Sequence, residues 1–375
     1  MLSHRISRIL AVGSALLGAC SAEGHSATQT DDELRQEISS NDSVAPPAAD
    51  VTPGSTDVAP TQGAVNRGGR GGTSTTPIEY DDPDLKCYLL RAFESVENRE
   101  GKYRVPSTRD LYVGFNIKAP WTTTQYIRSV RSHVDNKAIL HHWLLYKQGT
   151  GIPEAILEAT NGAHPGGTLL YGWAPGTDDL WLDPDVGMEV TPGTVFQVEN
   201  HYNNLTGKPL LDASGVEICV TPHKPEKLAA MSFVGTDAIR GTVATGTCTP
   251  KITEPVNIIM SFPHMHKKGV RLKVDWTHAD GSSETVHDEP FNFDYQRTYN
   301  HPNFAVKPGD KLTTTCTYDS PARFGQGTDD EMCYFFALHW PAGALANPNI
   351  FAQLHGPATC IDMPTLPALP ASATP

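Results

Sequence analysis

The sequence predicts an all-β protein of the sandwich class, on three observations. Gly 32 and Pro 30 in 375 residues make a chain full of turns. No helical apolar period persists past a few turns anywhere in it. Short β-branched and aromatic runs such as "GTVFQVEN", "VNIIMSF" and "KLTTTCTY" alternate with the turn signals "TPGT", "KPGD" and "ADGS". The length suffices for two domains. Lys and Arg number 29 against 42 Asp and Glu, a net charge of −13. That balance excludes a nucleic-acid partner, because phosphates need a basic face.

In chain order, residues 1–20, "MLSHRISRILAVGSALLGAC", read as an export signal. Arg5 and Arg8 precede an apolar stretch from Ile9 to Leu17 that is too short to span a bilayer. Its end, Leu17-Gly18-Ala19-Cys20, resembles a bacterial lipobox. Cys20 is therefore expected as the lipid-modified first residue of an exported chain whose only hold on a membrane is that anchor. An ordinary signal peptide would export the chain as well. Residues 21–79 hold no aromatic side chain and are rich in Ser, Thr, Pro, Ala, Asp and Gly. Such a segment buries too little apolar surface to offset its ordering entropy, so it reads as a disordered tether. Six further cysteines follow, Cys87, Cys219, Cys248, Cys316, Cys333 and Cys360. An even number in an exported chain points to disulfides, with fifteen pairings open.

Three histidine clusters stand out among the fifteen histidines. In "AILHHWLLY", His141 and His142 are adjacent, and adjacent strand residues face opposite sides. They reach one metal only if the strand is bent or bulged there. His201 ends the run "TVFQVENHYNN". In "SFPHMH", His264 and His266 are two apart, share one strand face and lie close enough to share a metal ion, while Met265 points away. Pro263 cannot donate to a central ladder, so that strand is expected to be an edge or to carry a bulge. Taken singly, each motif has a plain structural reading as a buried or surface histidine. In "MCYFF", alternation sets Met332, Tyr334 and Phe336 on one face and Cys333 and Phe335 on the other.

The motifs "HHW", "YGWAPG", "NHYNN", "PHMH" and "DDEMCYFFALHW" come in that order across about residues 85–362. Together they resemble the copper type II, ascorbate-dependent monooxygenase family, which includes peptidylglycine hydroxylase and dopamine β-monooxygenase. The resemblance implies two tandem jelly-roll-like β-sandwich domains, residues 80–222 and 223–365, followed by a tail at 366–375. It implies two coppers per chain. The first would be held by His141, His142 and His201 and store an electron. The second would be held by His264, His266 and Met332 and activate dioxygen, since a soft thioether favours Cu(I). Ascorbate or another one-electron reductant is the implied cosubstrate. The implied disulfides are Cys316–Cys333, Cys248–Cys360 and Cys87–Cys219. The last departs from the family pattern, whose cysteine would fall near Ala213, but an even offset keeps the strand face.

The substrate side departs too. Peptide-amidating members carry an arginine two positions before the first His of the HxH pair, where this chain has Phe262. The Asn and Tyr that follow their methionine correspond to Tyr334 and Phe336. With Phe262, Tyr334 and Phe336 as the candidate pocket, the expected reaction is hydroxylation of a C–H bond of a small, mostly apolar molecule. The competing expectation is an exported copper-binding or copper-buffering lipoprotein on the same scaffold without catalysis. A module with one working copper fits less well, because both ligand sets are complete.

Overall fold

The computed structural model describes residues 72–74, 76–159, 167–345 and 359–360. The expected export signal with Cys20, residues 21–71 of the expected tether and the tail at 366–375 lie outside the described residues. Every regular element among the described residues is a strand, and nearly all pairings are antiparallel. The all-β sandwich class is borne out.

One five-stranded sheet runs in the order Ala155–Ala159, Leu111–Lys118, Thr194–Tyr202, Leu140–Thr150, Thr168–Trp173. Its middle strand, Thr194–Tyr202, is buried along its whole length, as a central strand must be. Val113, Phe115, Leu145 and Val198 of this sheet share a core with Ile127, Val130, Val216 and Ile218 of a seven-stranded sheet. A second five-stranded sheet has the order Tyr299–Val306, Val256–His264, Tyr334–Trp340, Ala230–Gly235, Thr359–Cys360. A four-stranded sheet of Arg240–Cys248, Lys311–Arg323, Gly269–Thr277 and Ser283–Pro290 lies against it. In Lys311–Arg323, Leu312, Thr314, Cys316 and Tyr318 point inward by simple period-2 alternation.

The strand Tyr334–Trp340 is buried on both faces, which explains the unbroken apolar run "CYFFAL". Tyr334, Phe336 and Leu338 join the core of the first sandwich, with Met332 packed against it, whereas Cys333, Phe335 and Ala337 join the core of the second. The two sandwiches thus meet through a dry aromatic layer. Gly172 keeps this contact close, since a Cβ on it would lie 2.6 Å from Leu144 Cδ2 and 3.3 Å from Phe262 Cε1 and would make those side chains shift.

Three disulfides join the pairs the resemblance implies. Cys87 and Cys219 face each other in register, with Cα atoms 4.0 Å apart. Cys248–Cys360 and Cys316–Cys333 span 5.2 and 5.7 Å. They fit an exported protein, since such bonds persist in oxidising compartments.

Two boundaries differ from expectation. A short strand falls inside the expected tether, where Thr73–Ser74 pair with Leu182 and Trp181. Backbone pairing, and the Thr73 hydroxyl 2.5 Å from Asn300 Oδ1, hold this segment without any aromatic anchor. The first sheet system also continues past residue 222. Lys227–Leu228 pair with Val186–Gly187, fastened by Lys227 Nζ on Asp185 at 2.5 Å.

Candidate metal centre

Adjacency made a shared site for His141 and His142 conditional on a break in the strand, and the break is present. His201 pairs with His142, but the next pair is Tyr202 with Leu140, so His141 is the extra residue of a bulge. The bulge swings both rings to one side, with their Nδ1 atoms 3.0 Å apart. His201, directly across the ladder, joins them, and the ligating atoms of all three lie within 4.8 Å of one another. His141 Nε2 and His201 Nδ1 are buried and have no hydrogen-bond partner. An orphaned buried polar atom is costly unless something else satisfies it.

The opposite nitrogen of His201 is accounted for. Its Nε2–H donates to Asp110 Oδ1 at 3.0 Å, which fixes the tautomer and leaves the Nδ1 lone pair bare. Asp110 also accepts from Thr328 Oγ1 at 2.5 Å. The His201 hydrogen bond, the leading cause, and the Thr328 bond hold its carboxyl down at about 2. It adopts a positive φ of 53°, the left-handed region that Asp tolerates better than most residues. Tyr112 stacks flat on the His201 ring at 4.1 Å, and its hydroxyl donates to the Gln326 carbonyl.

The second pair is held by the same logic. His264 Nδ1–H donates to Gln296 Oε1 at 3.0 Å, and His266 Nδ1–H donates to the Asp330 carbonyl at 3.1 Å. Both acceptors take a proton and give none, so each ring presents a bare Nε2. The rings lie 5.2 Å apart. His264 pairs with Tyr334 at the ends of their strands, and His266 and Met332 each lie two residues beyond those ends. Glu331, fully buried, ties those two segments together: its carboxylate accepts from the backbone N–H groups of His266 at 2.8 Å and Lys268 at 2.6 Å. Burial pushes the Glu331 carboxyl up.

Pro263 sits on a central strand, not an edge. The expected bulge exists but falls at Ile258/Met260, and pairing with Tyr299–Val306 stops at Ser261. On its other side Pro263 stays in register with Phe335.

Burial holds the imidazoles neutral, the form that ligates a metal. It drives His141 and His264 down to about 4 and His266 to about 3, and lowers His142 and His201 as well. Three clustered imidazoles on one side and two more on the other, all held neutral, are donors that suit copper. Phe262, Tyr334 and Phe336 border His264: the Phe336 ring stacks on His264 at 5.6 Å, and Phe262 lies 6.2 Å from it. The three aromatic residues are themselves 2 to 5 % exposed and closed off by Phe233, so they form a packed wall rather than an open cavity.

Asp110, Gln296, Glu331 and Thr328 were not among the candidates from sequence. Each acts across 32 to 218 residues of chain, and no local motif signals such a contact.

Residues 237–349, which contain His264, His266 and Met332, match the family described as copper type II ascorbate-dependent monooxygenase, C-terminal domain. The chain is similar to tyramine beta-hydroxylase of Caenorhabditis briggsae, 25% identical over 300 residues, 67% of this chain and 51% of that protein. It is also similar to DBH-like monooxygenase protein 1 of Homo sapiens, 25% identical over 262 residues, 58% of this chain and 43% of that protein. The chain thus spans about half the length of these relatives. These likenesses point to the copper type II ascorbate-dependent monooxygenase family, whose C-terminal domain residues 237–349 match.

Proposed function

We propose that this protein hydroxylates a C–H bond of a small, mostly apolar molecule, using dioxygen and a one-electron reductant such as ascorbate. The two domains would be the sandwiches on either side of the aromatic layer, each carrying one copper. Export with a lipid anchor at Cys20 belongs to the same reading. The observation that carries it is the paired set of tautomer-fixed histidines: one nitrogen of His201, His264 and His266 is committed to an acceptor, and the other is left bare.

His141, His142 and His201 would hold the first copper, and His264, His266 and Met332 the second. When bound, copper would store one electron at the first set and activate dioxygen at the second. The residues of the chain do the rest. Asp110 and Gln296 orient their rings, Glu331 ties the HxH turn to the segment that carries Met332, and Tyr112 covers His201. Phe262, Tyr334 and Phe336 supply an apolar wall without an anchoring charge, which suits an apolar substrate and not a carboxylate-bearing peptide. The overall reaction takes up dioxygen, two electrons and two protons; one oxygen atom enters the product and the other leaves as water.

The test is a screen of small aromatic and aliphatic compounds with copper-loaded protein, ascorbate and isotopically labelled dioxygen. The expected result is reductant-dependent incorporation of one labelled oxygen into a product. Copper binding with no such incorporation for any compound would favour the copper-buffering reading.

A further inference from the structure

We propose that the segment 291–297 is a positioning strap that sets the spacing of the two histidine clusters, with Phe293 as the spacer and Gln296 as the residue that orients His264. This deepens the copper reading and rests on it.

The segment leaves the second sandwich and reaches the first. Its start is fastened by Phe291 N–H on the Val270 carbonyl at 2.9 Å. Its far end is fastened to the "YGWAPGT" turn of the first sandwich. There Gln296 N–H donates to the Pro175 carbonyl at 2.8 Å, and Thr177 Oγ1 donates to the Gln296 carbonyl at 3.1 Å. Gly176, at φ +94°, lies under the Tyr295 ring, and a Cβ on it would come within 2.8 Å of that ring.

Between these two fixings stand the residues that touch the clusters. The Phe293 ring is 4.5 Å from the His141 ring and 6.1 Å from the His266 ring, so it contacts one member of each cluster. It is 8 % exposed and has no ligating atom. A flat apolar ring there excludes water from the gap and resists compression, as close-packed interiors do. Gln296 is 2 % exposed, and both the nitrogen and the oxygen of its amide are engaged. Nε2 donates to the Phe293 carbonyl at 3.1 Å, which leaves Oε1 to accept from His264 Nδ1–H. One side chain therefore sets the bend of the strap and the tautomer of His264 together, while its backbone grips the other sandwich.

The test compares wild type with Gln296→Leu, Gln296→Glu, Phe293→Leu and Gly176→Ala. The readouts are copper stoichiometry and the magnetic dipolar coupling between the two cupric ions, which falls with the cube of their separation. In wild type we expect two coppers and one narrow coupling. Gln296→Leu should weaken copper at the second set by about 10- to 100-fold and leave the first set loaded. Gln296→Glu, which keeps an acceptor for Nδ1–H, should restore it. Phe293→Leu preserves apolar bulk but not the flat spacer, so both coppers should stay while the coupling broadens. Gly176→Ala touches neither cluster and should broaden it in the same way by displacing Tyr295. Wild-type stoichiometry and coupling in Gln296→Leu, Phe293→Leu and Gly176→Ala would overturn the strap, with the copper reading intact. A wild type that binds fewer than two coppers would overturn that reading and the strap with it.

Discussion

Asp110 shows how a single residue decides what a histidine can do. By accepting the Nε2–H of His201, it makes Nδ1 the free nitrogen of that ring. Replacing Asp110 by Ala should weaken copper at the first set by about 10- to 100-fold, the usual cost of losing a hydrogen-bond partner of a ligand. Isothermal titration with copper, with the second set as internal reference, would register it; unchanged affinity would remove Asp110 from the account. His339 makes the contrasting case of a buried histidine with no metal to serve. Its Nδ1–H donates to the Pro341 carbonyl at 3.1 Å and its Nε2 accepts from Ser232 at 2.8 Å, so both nitrogens are satisfied by the protein. Burial pushes it down to about 4 from an ordinary 6.5. The unfolded chain thus binds the proton more readily, and stability is full above pH 6.5 and is lost as pH falls through about 4. The loss is on the order of 3 kcal/mol. Urea midpoints of wild type and His339→Gln between pH 7 and about 4 should show the smaller decline in the variant; parallel declines would contradict the assignment.

Among the elements, some of the site was legible because it depends on period-2 alternation. The HxH pair on one face, and Met332, Tyr334 and Phe336 opposite Cys333 and Phe335, follow from alternation alone. The His141 bulge was legible only as a condition, since a one-residue register shift leaves no mark in composition. Pro263 signalled a strand that is an edge or bulged, and the strand is central with a bulge at Ile258/Met260, while pairing with Tyr299–Val306 stops at Ser261. Asp110, Gln296 and Glu331 were not legible, because their roles come from loops brought together by the packing of distant strands. Cys316–Cys333 belongs to this scale as well. The bond turns Cys333 into the second core and so sets the phase of the neighbouring Met332. Replacing both cysteines by Ala should cost about 3 kcal/mol in urea unfolding, from the closed loop of 17 residues. A loss below about 1 kcal/mol would show that strand packing alone sets the phase.

In the whole molecule, two sandwiches meet across one doubly buried sheet, and the two histidine sets stand at that junction. The junction is dry and aromatic, with Gly172 allowing Phe262 to close against the first sandwich. The loop before Met332 reaches back across it, through Thr328 to Asp110, Gln326 to Tyr112, and Asp329 to Arg109 at 3.1 Å. The two histidine sets are therefore parts of one mechanical unit, and under the proposed reading they differ in donor chemistry, three nitrogens against two nitrogens and the Met332 sulfur. That difference is the central claim, and X-ray absorption at the copper edge of the reduced protein tests it most directly. The account predicts two coppers per chain and a copper–sulfur scatterer in wild type that disappears in Met332→Ile, with the nitrogen shell of the first set unchanged. A wild-type spectrum with no sulfur scatterer, or a single copper per chain, would contradict it.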